Sequence, residues 1–190
     1  MLVQIGQLLV DVVATFVVFL LLARFHFQWL RVSFHNPVGE FIVVATNWIV
    51  RPARRVIPPL GGLDLATLLS ALLLQVLALY LIGTLAGAEL GNEPGRVIAA
   101  LFVGAAFDLA RFSLFILVFS VVMVVVFSWI NPHAPMAPLF NAITRPFLRP
   151  LRRVIPLLGR FDLSPLVLLV LLQIALIVLQ SLQHAATGWS

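Results

Sequence analysis

The chain predicts an all-α membrane protein, with about four transmembrane helices forming two tandem helical hairpins of the same orientation. Three observations carry this. Of its 190 residues, 62% are hydrophobic and 10% are charged, against about 45–50% apolar and about 25% charged in a soluble domain. Four segments stay apolar for about 20 residues, the length that crosses about 30 Å of hydrocarbon. One basic stretch is written twice, RPARRVIPPLGGLDL from Arg51 and RPLRRVIPLLGRFDL from Arg149, 98 residues apart (149 − 51). Each copy stands directly ahead of an apolar run.

The first span covers about 4–23 and runs on as helix toward Trp29. It has no basic leader and no small-residue cleavage site, so it reads as a retained span and not a signal peptide. The second span covers about 64–88, the third about 109–130 and the fourth about 162–184. Residues 97–108 are also apolar, and form either an interfacial helix or an N-terminal extension of the third span.

All twelve basic residues are arginine. Five (Arg24, Arg31, Arg51, Arg54, Arg55) follow the first span and five (Arg145, Arg149, Arg152, Arg153, Arg160) follow the third, whereas only Arg96 separates the second and third. The positive-inside rule puts both motif loops in the cytoplasm and both termini outside. The net charge of +5 lies beside apolar runs, so anionic phospholipid is the expected partner, with no direct role for nucleic acid. There is no cysteine, which excludes disulfides, thiolate metal sites, thiol nucleophiles and covalent c-type haem attachment.

The repeat divides the chain into 1–95 and 96–190, each reading span, interfacial segment, basic-proline-glycine motif, span. Adding 98 maps Thr46 to Thr144, Asp64 to Asp162 and Gln75 to Gln173; Trp29 and Trp129 mark the ends of the first and third spans. Two spans per unit give both units one orientation, with a pseudo-two-fold axis expected along the membrane normal. Within the motif, Pro58, Gly61 and Asp64, and likewise Pro156, Gly159 and Asp162, supply a turn and a helix N-cap. The arginines Arg51, Arg54, Arg55, Arg149, Arg152 and Arg153 either fix topology only or also bind lipid phosphate or an acidic partner, with the two aspartates partly neutralising them. Ahead of each motif, Phe41, Ala45 and Trp48, and Leu139, Phe140, Ile143 and Phe147, predict in-plane or re-entrant helices, or helices packed in the core, with Pro146 a kink and Thr144 its hydroxyl partner.

Gln75 and Gln173 lie about 16 Å along their spans, near the midplane. They offer an interhelical hydrogen bond or the lining of a path. Asp11 and Arg111 either pair across the axis or both reach the outer interface, and Asp108 also lies near the outer side. Gly83, Gly87 and Gly91 make two small-xxx-small steps, for internal packing or a homo-oligomer contact. His35 and His133 are 98 apart, but no carboxylate cluster or helical His pair accompanies them, so no metal or cofactor is expected. No nucleophile set, phosphate loop or acidic pair indicates an enzyme.

These motifs resemble the YggT family of integral membrane proteins in its two-repeat bacterial form. The first unit carries the likeness in Asn36-Pro37, Thr46, Arg54 through Pro58, Gly61-Gly62 and Asp64. The second carries it in Asn131-Pro132, Thr144, Pro146, Arg149-Pro150, Arg152-Arg153, Ile155-Pro156, Gly159, Asp162 and Ser164-Pro165. The first unit departs at Trp48 and Ala66-Thr67, and the second at Arg160 in place of a second glycine, so the second is nearer the family pattern. The resemblance implies a multi-pass protein of the bacterial inner membrane. It also implies links to osmotic stress, potassium uptake and cell-division neighbourhoods, and in plastid relatives to cytochrome maturation and nucleoid distribution. It brings no catalytic residue. A non-enzymatic scaffold or stress factor with a membrane or cytoplasmic protein partner is therefore expected first, and a potassium or other cation transport component second.

Overall fold

The computed structural model describes residues 1–58, 62–88, 93–131, 134–155 and 162–187. Among them run six helices: α1 (Leu2–Trp29), α2 (Pro37–Val56), α3 (Leu65–Leu85), α4 (Pro94–Ile130), α5 (Ala137–Val154) and α6 (Ser164–Thr187). Four of these, α1, α3, α4 and α6, are long and apolar enough to cross a membrane. The chain is an all-α membrane protein built as two hairpins, α1–α3 and α4–α6, each with a shorter amphipathic helix between its spans.

Helix ends follow local chemistry. Asn36 caps α2 by accepting from the Gly39 N–H at 2.9 Å, with Pro37 at the first helical position. Gly39 is required there, because a Cβ would lie 2.6 Å from the Phe34 carbonyl oxygen. At the end of α3 the Ala88 N–H reaches the Gly83 carbonyl at 2.9 Å while Gly87 takes φ +84°. That is a left-handed helix stop. Gly87 therefore serves the stop and not a helix contact, and Gly83 meets only Ala88 within 4 Å. Of the three glycines read as a packing stripe, Gly91 lies outside the described residues. α1 ends the same way, with the Val32 N–H on the Phe27 carbonyl at 2.7 Å, but the left-handed position is Arg31, at φ 53°.

Residues 97–108 are the N-terminal extension of the third span. α4 is one helix of 37 residues, about 56 Å long at 1.5 Å per residue. The extension packs on α3, where Gly104 admits Leu79 at 3.6 Å from the position of a Cβ.

α2 buries Ile42, Thr46 and Val50 and exposes Phe41 and Trp48. The inward stripe is thus one residue round from the Phe41–Ala45–Trp48 stripe read from the sequence, because a buried arginine of α1 binds Thr46 (below). α5 buries Leu139 and Ile143 of the predicted stripe, and Leu148 in place of Phe147, while Phe140 and Phe147 are half-buried. Its Thr144 hydroxyl donates to the Phe140 carbonyl at 2.9 Å. Pro146 deprives the Ala142 carbonyl, not Phe140, of its helical partner, so Thr144 does not compensate it, and α5 continues through the proline.

Two apolar clusters hold the bundle. One joins Val18, Leu21 and Leu22 of α1 to Val50, Ala71 and Phe112. The other gathers Phe27, Ile42, Val121, Ile143, Leu148 and Leu168 where α4, α5 and α6 meet the end of α1. Lipid is as apolar as these side chains, so close packing and not water exclusion holds the helices; buried Ala14, Ala71, Ala78 and Ala105 let them approach. The units meet mainly through α3 on α4, and no comparable packing joins α6 to α1. A closed pseudo-two-fold would require both, so the expected two-fold is broken. The α4 extension lies along α3 and adds to this difference.

Candidate functional site

The repeated motif builds one arrangement in each unit, at the end of the bundle that carries most of the arginines. In the first, Arg54 stands in the last turn of α2 and α3 begins after Asp64. Asp64 is the N-cap of α3 and accepts from the Thr67 N–H at 3.4 Å and from the Thr67 hydroxyl. Arg54 donates to it twice, from Nη2 at 2.5 Å and from Nε at 3.3 Å. α1 closes over the pair. With its amide turned to suit its neighbours, Gln28 donates to Asp64 Oδ2 at 2.9 Å and accepts from Arg54 Nη2 at 2.6 Å. One turn earlier Arg24 is 4% exposed. It donates to Thr46 Oγ1 at 2.8 Å and Asn47 Oδ1 at 3.1 Å. Burial alone would raise the Asp64 pKa. The hydrogen bonds from Arg54 and Thr67 and the Arg54 charge outweigh it, holding the carboxyl below its ordinary value.

The second unit repeats the ion pair with fewer supports. Asp162 accepts from Arg152 Nε at 2.8 Å and from the Ser164 N–H at 2.9 Å. Its side chain is 27% exposed, against 7% for Asp64. Its carboxyl is also held low: burial raises it, but the hydrogen bonds from Ser164 and Arg152 and the Arg152 charge prevail. Pro58 follows α2, while Gly61, Pro156 and Gly159 lie outside the described residues.

The aspartates divide the arginines into two groups. Arg54 and Arg152 are engaged within the fold. Arg51, Arg55, Arg149 and Arg153 stand exposed on α2 and α5, and among the described residues none pairs with an acid. Arg149 also lines an open pocket of about 460 Å³ with Arg31, Arg145, Leu30, Ala142 and Pro146. Three guanidinium groups and no carboxylate line it, a composition suited to phosphate or carboxylate. Arg31 and Arg145 were read only as topology signals. The left-handed backbone of Arg31 was not legible in the sequence, and it costs about 1–2 kcal/mol for a residue with a Cβ.

The two midplane glutamines differ. Gln75 is buried and donates to Asp108 Oδ2 at 2.9 Å. Asp108 also takes Arg111 Nη2 at 2.6 Å. Arg111 thus pairs with Asp108 and not with Asp11, and Asp108 lies level with the middle of α3, not at the outer interface. Gln173 is exposed on α6. Among the described residues no group of three His, Asp or Glu side chains could hold a metal ion, and His133 lies outside them.

A family model described as CCB3/YggT matches residues 3–85 and again 103–183. The chain belongs to the CCB3/YggT family. The double match fits the tandem hairpins. Relatives in this family include an uncharacterized protein of Pseudomonas aeruginosa, 36% identical over 149 residues (77% of this chain, 74% of the relative). A Vibrio alginolyticus protein described by its place in the proC 3' region is 33% identical over 159 residues (83% and 84%). Escherichia coli K12 YggT, also described as uncharacterized, is 32% identical over 157 residues (81% and 78%). No solved structure matches the chain.

Proposed function

We propose that this family member is a non-enzymatic scaffold of the bacterial inner membrane, an assembly or osmotic-stress factor. It docks anionic phospholipid, or an acidic membrane or cytoplasmic protein, through guanidinium groups on its cytoplasmic side. The observation that carries this reading is the division of the arginines. Arg54 and Arg152 hold the fold, while Arg51, Arg55, Arg149 and Arg153 extend from two amphipathic helices without acidic partners among the described residues. Arg31 and Arg145 add to Arg149 in one pocket. Near an anionic leaflet each such charge contributes about 1 kcal/mol, and clustering adds bidentate capture of one oxyanion.

The test is co-purification from native membranes, read by mass spectrometry. Wild type is compared with a variant carrying Arg→Gln at 51, 55, 149 and 153, and with a second variant carrying Arg→Gln at 31, 145 and 149. A protein or anionic lipid enriched with wild type and lost with either variant supports docking and identifies the partner. Unchanged lipid and protein profiles in both variants, with insertion intact, reduce these arginines to topology signals.

A transport role for potassium or another cation is the second reading, favoured by the buried Asp108 beside Gln75. Buried charge within a span is a common mark of an ion path. Arg111 neutralises this one, and Gln173 does not face it, which ranks the reading second. Absence of cation flux into liposomes carrying the wild-type chain would remove it, and flux that survives Asp108→Asn unchanged would remove Asp108 from the path.

A further inference from the structure

Adding 100 to Gln28 and Trp29 of α1 gives Ser128 and Trp129 of α4, and adding 100 to Arg24 gives Val124. The structure respects this offset. Gln28 lies over the Arg54–Asp64 pair, and Val124, Ser128 and Trp129 lie along the Arg152–Asp162 pair. What α4 puts there is smaller. The Gln28 amide bridges the first pair, giving a hydrogen to the carboxylate and taking one from the guanidinium. Ser128 cannot span that distance, and Val124 carries no polar group. A cavity of about 220 Å³ remains, lined by Arg152, Asp162, Val124, Ser128, Trp129 and Leu166 among others. Arg152 engages Asp162 through Nε, and its terminal nitrogens bond no described residue.

We propose that this cavity holds the headgroup of an amine-bearing zwitterionic phospholipid, with the ammonium on Asp162 and the phosphodiester on the Arg152 guanidinium. The first unit shows what the pair accepts: one group that is both donor to the carboxylate and acceptor from the guanidinium. A phosphoethanolamine headgroup has both properties. The pair is electrically neutral, so a zwitterion is matched in sign at both ends. A phosphoglycerol headgroup would bring an anion with no cation for Asp162. Phosphocholine brings a cation with no N–H to donate. The position fits as well. Trp129 and Leu166 are exposed at the rim, and tryptophan settles at the headgroup level of a bilayer. The acyl chains then lie against the exposed apolar face of α6.

This site uses none of the arginines assigned to docking above, so the two readings fail separately. The full chain is reconstituted with equal fractions of dioleoyl phosphatidylethanolamine, phosphatidylcholine and phosphatidylglycerol, and retained lipids are counted by native mass spectrometry. Wild type is expected to keep one phosphatidylethanolamine, about tenfold in excess of either competitor, the ratio that one charge-assisted bond supplies. Ser128→Gln reinstates the amide of the first unit and should lose that lipid without a fall in melting temperature. Asp162→Asn should bring the ethanolamine-to-choline ratio to about one. Equal retention of the three lipids by wild type overturns the proposal, and if neither variant folds this measurement alone decides. Undiminished phosphatidylethanolamine on a folded Ser128→Gln protein overturns it too.

Discussion

Replacing each cap aspartate by asparagine should expose the difference between the two units. Asparagine caps a helix about as well as aspartate, so the substitution isolates the charge. At Asp64 the charge serves two bonds from Arg54, two from Thr67 and one from Gln28. The carboxylate is 7% exposed and Arg54 is 41% exposed. Breaking a fully buried pair costs about 3–5 kcal/mol, and the half-open arginine brings this to about 2–3 kcal/mol. Asp64→Asn also leaves the buried Arg24 without the nearby anion whose charge acts on it. Asp162 is 27% exposed, its arginine 47%, and its charge meets one guanidinium nitrogen. Asp162→Asn should therefore cost about 1 kcal/mol, the range of an exposed pair. The assay is unfolding in mixed micelles by titration with dodecyl sulfate, followed by tryptophan fluorescence or circular dichroism. Asp64→Asn should unfold at clearly lower denaturant than Asp162→Asn. Equal midpoints, or the reverse order, would refute the claim that the first unit is the structural one.

Two further outcomes follow from the same residues. Arg31→Gly should stabilise the protein by about 1 kcal/mol, because glycine takes the left-handed conformation without a Cβ penalty. The same change should weaken retention of anionic lipid; a variant that keeps its lipid contradicts the assignment of Arg31 to docking, and one that loses stability contradicts the backbone penalty. Both cap aspartates have folded pKa values below the ordinary value, which is about 3.9 in the unfolded chain. Their contribution is thus fully present above about pH 4 and is lost as pH falls through the lower folded values. Thermal stability between pH 5 and 8 should owe nothing to their titration. The drop below about pH 4 should be smaller in Asp64→Asn, and an equal drop would mean that other carboxylates control acid unfolding.

Much of this architecture was legible in the chain. Apolar runs of bilayer length gave four spans, because the hydrocarbon thickness admits few alternatives. The doubled motif marked both α3 and α6 starts, because an aspartate ahead of an apolar run is a local signal. What could not be read is non-local. Arg54 and Asp64 are ten residues apart and meet only because α2 and α3 turn on each other. Arg24 and Gln28 come from a different helix altogether. The inward face of α2 was misplaced by one residue because every candidate stripe there is apolar, and the Arg24–Thr46 bond made the choice. The repeat also hides its most informative difference. Motif residues align at an offset of 98, whereas the α1 and α4 positions that lie over the ion pairs align at 100, so Gln28 and Ser128 are not seen as counterparts when one offset is used throughout.

That difference has an internal logic. Arg24 is tolerated inside the first unit because Asn47 and Thr46 both accept from it. The position equivalent to Asn47 is Arg145. An arginine at 124 would meet a like charge there in place of an amide oxygen, which is destabilising in a poorly solvated place. Valine at 124 removes the conflict. Val124 also lines the cavity beside Asp162, and Arg145, freed of such a neighbour, turns its charge toward Arg31 and Arg149. The exchange of Asn47 for Arg145 between units is therefore coupled to both openings in the second unit, the neutral cavity at Arg152 and the cationic pocket one to two turns earlier on α5. In the first unit the place of the neutral cavity is filled by Gln28. Duplication has left one ion pair covered by the protein's own amide and the other beside an open cavity.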